Sequence, residues 1–100
     1  MKCLFHPEAE AELEQAAIFY EEYEEGLGFD FLLEVHSAVD RIISYPNAWT
    51  LMDDEIRRCL IKRFPYGILY TESSGEIIVL VIMHMHRDPD YWKKRLRKTI

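Results

Sequence analysis

Apolar and polar positions recur along this chain with two different periods, and each period predicts a different kind of element. Leu13, Ala16, Ala17, Tyr20 and Tyr23 repeat at helical spacing behind Pro7, which a helix tolerates in its first turn. Glu8, Glu10 and Glu12 fall near the positive end of that helix dipole. Gly26 and Gly28 break the pattern, and the small alanines before them allow close approach to a neighbour. A second amphipathic run, Phe31, Leu32, Val35, Val39, Ile42 and Ile43, stops before Pro46. The expectation is an antiparallel αα-hairpin with Glu-rich outer faces, preceded by a short strand over residues 2 to 6.

After the hairpin the period changes. Pro46 to Thr50 and Asp53-Asp54 read as loop, with Trp49 anchoring it to the core. From Ile56 to Phe64 two residue sets alternate. Arg58, Leu60 and Lys62 take one face, and Arg57, Cys59, Ile61 and Arg63 take the other. The corner Phe64-Pro65-Tyr66-Gly67, a strand from Ile68 to Glu72, the turn Ser73-Ser74-Gly75 and a strand over 76 to 83 complete a three-stranded antiparallel meander. Ile77 to Met83 has no polar residue, as expected of a strand buried on both faces. Asp88 before Pro89 resembles an N-cap, so Asp90 to Lys98 is expected to form a short basic helix anchored by Trp92 and Leu96. The fold class is α+β, in the order strand, two helices, three strands and a C-terminal helix, as a single domain over residues 1–100.

Composition narrows the function classes. A 12.0 kDa chain holds one core, and no segment approaches the roughly 18 apolar residues of a membrane span. The N-terminal residues lack a signal-peptide layout, so the expectation is cytoplasmic. Cys3 and Cys59 are too far apart to form a C-x-x-C motif and read as buried thiols. The net charge of -6 argues against a nucleic-acid partner, but the charge is unevenly spread. Through Tyr45 there are eleven acidic residues against Lys2 and Arg41, whereas the rest carries ten basic against seven acidic.

Candidate chemistry gathers between His84 and Arg95, directly after the apolar strand. His84 and His86 at i and i+2 have no third ligand in sequence, which favours a proton-transfer or structural role over metal binding, and no cofactor is expected. Arg57, Arg58, Lys62 and Arg63 are expected to converge with Arg87 into a basic patch, the competing reading being pairing with hairpin glutamates. Tyr91 and Trp92 are suited to stacking on a base or to docking the tail, with packing favoured for Trp92. No Gly-rich phosphate loop, nucleophile elbow or activated cysteine is present.

Pro7-Glu8-Ala9, Gly26-Leu27-Gly28, Arg57-Arg58, Arg63-Phe64-Pro65-Tyr66 and His84-x-x-Arg87-x-Pro89-x-Tyr91-Trp92, in this order over nearly the whole chain, resemble the RelE/ParE family of type II toxin–antitoxin toxins. The resemblance implies a small α+β toxin, with a plasmid-stabilisation role, held inactive by a cognate antitoxin in a hetero-oligomer. It also implies one of three activities. ParE-like members poison DNA gyrase and perform no chemistry, RelE-like members cut mRNA on the ribosome without a metal, and a non-toxic homologue retains only antitoxin binding. The gyrase branch is favoured by the long hairpin, by the net acidity and by Gly67, where ribonuclease members often carry arginine. For a ribonuclease, Arg58, Lys62 and Arg87 would hold the phosphate while His84, His86 or Tyr91 moved protons. Target or antitoxin contact is expected from Arg57, Arg58, Arg63, Arg87 and Trp92.

Overall fold

The computed structural model describes residues 1–88, 90–93 and 95. Strand β1 spans Lys2–Phe5, and the chain turns at once into helix α1, Pro7–Tyr23. His6 Nδ1 accepts a hydrogen bond from the Glu8 amide at 3.1 Å, capping the helix ahead of Pro7. Helix α2, Leu27–Ser44, follows after three residues, and its N-terminus is capped from the other helix. The Glu21 carboxylate accepts from the Gly26 and Gly28 amides at 2.9 and 3.0 Å. Gly28 allows this close approach, because a Cβ there would lie 2.5 Å from the Ala17 carbonyl oxygen.

Strands β2 (Thr50–Asp53), β3 (Ile56–Leu60), β4 (Tyr66–Ser73) and β5 (Glu76–His84) follow, and the sheet order is β1-β5-β4-β3-β2. The last four strands are antiparallel in series, whereas β1 lies parallel to β5 from Lys2↔Glu76 to Phe5↔Val79. The expected three-stranded meander is therefore one strand short, and the full sheet is mixed. Thr50–Asp53, expected as loop, is an edge strand with every residue exposed, so it lacks the buried alternation that marks a strand in sequence. The strand expected from Ile56 to Phe64 ends at Leu60, and the chain bends through Arg63 at φ 71°.

The apolar run of β5 hides a bulge. Leu69 pairs with Val81 but Tyr70 with Val79, leaving Leu80 as the extra residue. The bulge resets the alternation. Ile77, Val79 and Ile82 face the helices, with Phe31, Val35, Ala38, Ile42, Ile68 and Tyr70, while Val81 and Met83 face the opposite side with Leu69 and Ile56. That second face is covered by Trp92, 2% exposed. Both faces are buried, as an all-apolar strand requires. The expected C-terminal helix is seen only in part. The Asp88 carboxylate accepts from the Asp90 amide at 3.0 Å, and Lys93 and Arg95 have helical backbone, but Leu96 to Lys98 lie outside the described residues. Among the described residues no helix is long and apolar enough to cross a membrane.

Candidate functional site

Strand β5 outruns β1. Pairing stops at Val79 and β5 continues to His84, so its last residues have β4 on one side and, among the described residues, no strand on the other. Helix α1 runs along that open edge and supplies a side chain where a strand would supply backbone. Glu12 Oε1 accepts from the Ile82 amide at 3.1 Å. Arg95 Nη1 donates to the Leu80 carbonyl, on the bulge, at 2.7 Å. The two side chains also meet each other in a two-point ion pair, Nη1 to Oε1 at 3.0 Å and Nη2 to Oε2 at 3.1 Å. Arg95 Nε pairs with Glu8 as well. Burial opposes the Arg95 charge, but the Glu12 hydrogen bonds and carboxylate outweigh it and hold its pKa above the ordinary value.

Tyr91 completes the cluster by donating its hydroxyl to Glu12 Oε2 at 2.8 Å. Burial, then that hydrogen bond, push the phenol far above its ordinary pKa, so it stays protonated. The Arg87 guanidinium lies over the Tyr91 ring, 4.0 Å from its centroid, with no carboxylate paired to it among the described residues. A cavity of about 250 Å³ opens here between α1 and the end of β5, lined by Glu12, Phe19, Tyr66, His84, Arg87 and Tyr91 among others. His84 packs edge-on against Tyr66 with centroids 5.0 Å apart, and its Nδ1 accepts from the His86 amide at 3.1 Å. The strand does not persist to His86, and no group of three metal-binding side chains occurs among the described residues.

The expected basic patch does not assemble. Strand alternation puts Arg57 on the helix side opposite Tyr70, where its Nη1 donates to the Trp49 carbonyl at 2.8 Å. Arg58 takes the other face, and its side chain lies across Gly67, where a Cβ would come within 3.2 Å of Arg58 Cγ and Met85 Sδ. Gly67 is therefore the floor under Arg58. Arg63 turns back to α2, 3.5 Å from Asp30 and 3.9 Å from Glu34, which is the hairpin pairing weighed against convergence. Lys62 is exposed in the bend after β3. Trp92 is a core residue, as its packing reading anticipates, so it does not serve as a surface contact. Of the candidates, only His84, His86, Arg87 and Tyr91 come together. Glu12, Tyr66 and Arg95 belong to the site and escaped sequence reasoning. The one signal was Glu12 itself, sixth in the helix and so beyond the first turn where the dipole favours an acid.

The family model for the ParE toxin of the type II toxin–antitoxin system parDE matches residues 3–89. Tyr91, Trp92 and Arg95 lie past its end. Among solved structures, the chain is similar to one described as the chromosomal ParDE TA system from P. aeruginosa. That likeness has a TM-score of 0.62 at 16% identity and covers 86% of this chain and 97% of the other, which shows a shared fold. A comparison with curated proteins gave no match.

Proposed function

The chain belongs to the ParE toxin family of type II toxin–antitoxin systems, and from that premise we propose that it arrests growth by poisoning DNA gyrase through contact alone. It is the toxin of its pair, and the family implies a cognate antitoxin as its partner. Support for a gyrase target over RNA cleavage rests on one observation. The Glu12 carboxylate sits at the floor of the cavity beside Arg87, where a ribonuclease would need to seat a phosphate. That carboxylate takes up the Arg95 charge that could otherwise meet a phosphate, and it fixes the Tyr91 proton so that the phenol is not available as a base. Arg58, assigned to the phosphate in the ribonuclease reading, points from the other face of the sheet. Arg87, exposed and unpaired by any carboxylate among the described residues, is the group we assign to target contact. The antitoxin is assigned the apolar side chains the hairpin leaves exposed, Ile18, Phe19, Phe29, Leu32 and Leu33.

The test is to induce the toxin without its antitoxin and map RNA ends and DNA breaks in the same cells. Gyrase poisoning gives double-strand breaks, an SOS response and intact messages. Messages cut within translated codons, with unbroken DNA, would replace this reading with the ribonuclease one. Continued growth would leave only an antitoxin-binding homologue.

A further inference from the structure

Glu12 accepts hydrogen bonds from three separate parts of the chain. It takes the Ile82 amide of β5, the Tyr91 hydroxyl and the Arg95 guanidinium, at 3.1, 2.8 and 3.0 to 3.1 Å. The backbone explains why one carboxylate holds this place. Because β1 ends at Phe5 and His6 donates its amide to the Val79 carbonyl, the chain leaves the sheet just where β5 bulges. The edge left open needs an acceptor at Ile82 and a donor at Leu80, and opposite charges on α1 and the C-terminal segment provide them while neutralising each other. The pair is largely shielded from water, with Glu12 17% and Arg95 9% exposed.

The consequence reaches Arg87 through Tyr91. With its hydroxyl fixed on Glu12, the Tyr91 ring has a set orientation, and that ring is the platform for the Arg87 guanidinium. The next residue, Trp92, is buried on the far face of the sheet, so the segment straddles the end of β5. Trp92 holds the segment down, and the contacts to α1 set it sideways: Glu12 receives both Tyr91 and Arg95, and Glu8 adds a second ion pair to Arg95. Other charged groups near the cluster do not substitute for Glu12. Glu8 pairs with Arg95 at Nε, whereas the Tyr91 hydroxyl and the Ile82 amide both go to Glu12, and Asp90 pairs with Lys93 on the exposed side of the turn.

We infer that Glu12 is a positioning residue of the toxin: through Tyr91 and Arg95 it sets the C-terminal segment so that Arg87 is presented at the mouth of the cavity between α1 and β5. The inference rests on the assignment of Arg87 to target contact, and it predicts that toxicity depends on the carboxylate that holds the segment as well as on Arg87 itself. Glu12→Gln keeps an oxygen for the Ile82 amide but cannot neutralise Arg95 while also receiving Tyr91.

The experiment uses the full-length toxin and reads two things, amide hydrogen exchange and antitoxin-relieved growth arrest. Glu12→Gln should speed exchange across residues 91–95 by about tenfold or more while amides of Ile68 and Val79 stay protected. Its growth arrest should weaken by about tenfold, in step with Arg95→Gln, which cuts the same pairing from the other side. Ile42→Ala, placed in the hairpin core, supplies a variant of similar or greater thermal destabilisation and should arrest growth nearly as wild type does. Unchanged exchange in Glu12→Gln, or loosened exchange with full growth arrest, overturns the inference. So does an equal loss of arrest in Ile42→Ala at matched stability, since Glu12 would then act through stability alone. If Glu12→Gln fails to fold, Arg95→Gln carries the same two readouts. Full arrest by Arg87→Ala instead sinks the assignment of Arg87, and exchange in Glu12→Gln still reports whether the tether exists.

Discussion

The two faces of one sheet are closed in different ways. Two long helices cover the first and bring with them a ring of aromatic contacts, Tyr20, Phe31, Phe64 and Tyr66, with centroids 4.8 to 6.2 Å apart. A few residues after β5 cover the second, anchored by a buried tryptophan and by the contacts of Tyr91 and Arg95 with Glu12 and Glu8. The helical face is redundant, since removing one apolar side chain leaves many others in contact. The C-terminal segment has few such contacts, and most of its polar ones converge on Glu12, so a single substitution can loosen it. The site lies at the end of β5 where the segment that closes the second face crosses over to meet α1, so its order depends on the less redundant closure.

The largest expected effect is at Phe31, fully buried where α2 meets α1 and the start of β4. Phe31→Ala should lose roughly 3–5 kcal/mol of global stability in urea titration, and a loss below 1 kcal/mol would mean the helical face is not the main core. Arg95→Ala comes next, at about 3 kcal/mol or somewhat less, because it strips the partner from a carboxylate that is mostly buried. Its signature should differ in kind: exchange protection falls at the C-terminal segment before it falls in α2. Uniform loss across both faces would erase the distinction drawn here.

Alkaline pH acts on the helical side through Tyr70. Tyr70 is 1% exposed and donates to the Pro46 carbonyl at 2.6 Å, and burial pushes its pKa up to about 12 from 10.0. The folded state thus keeps a proton that the unfolded chain releases. Its contribution is complete below pH 10 and is lost as pH rises toward 12, about 2–3 kcal/mol over that window. Urea midpoints taken between pH 9 and 12 should fall steeply in wild type, and more gently in Tyr70→Phe. The smallest expected effect is at Arg63, whose ion pairs to Asp30 and Glu34 are long and half exposed. Removing its charge with Arg63→Gln should change stability by less than about 1 kcal/mol in low salt, and less still in high salt.

Most of the helical face was legible in the sequence, because Leu13, Ala16 and Tyr20 on one helix and Phe31, Val35 and Ile42 on the other are spaced by the helix itself. The closure of the second face was much less so. Ile77 to Met83 is apolar throughout, so no alternation betrays the bulge at Leu80, and without the bulge nothing points to an open edge. Glu12 stands among acidic residues of a helix and looks like solvated surface, because Arg95 and Ile82 meet it only through the tertiary fold. The basic patch failed for a local reason: adjacent residues on a strand face opposite ways, so Arg57 and Arg58 cannot share a surface. Gly67, which stood out in the sequence as a departure from an arginine, is explained by the Arg58 side chain lying across it. Arg87 was legible as a site candidate from its place after a buried strand, and its carboxylate-free setting could be seen only with Tyr91 beneath it.

The most direct test of contact without chemistry mixes purified toxin with gyrase, ATP and supercoiled plasmid, and in parallel with ribosomes translating a defined message. The expected result is linear plasmid bearing covalently attached gyrase, lost in Arg87→Ala, with the message intact. Cleaved message and untouched plasmid would contradict the central claim and return Arg87, His84 and Tyr91 to a catalytic role.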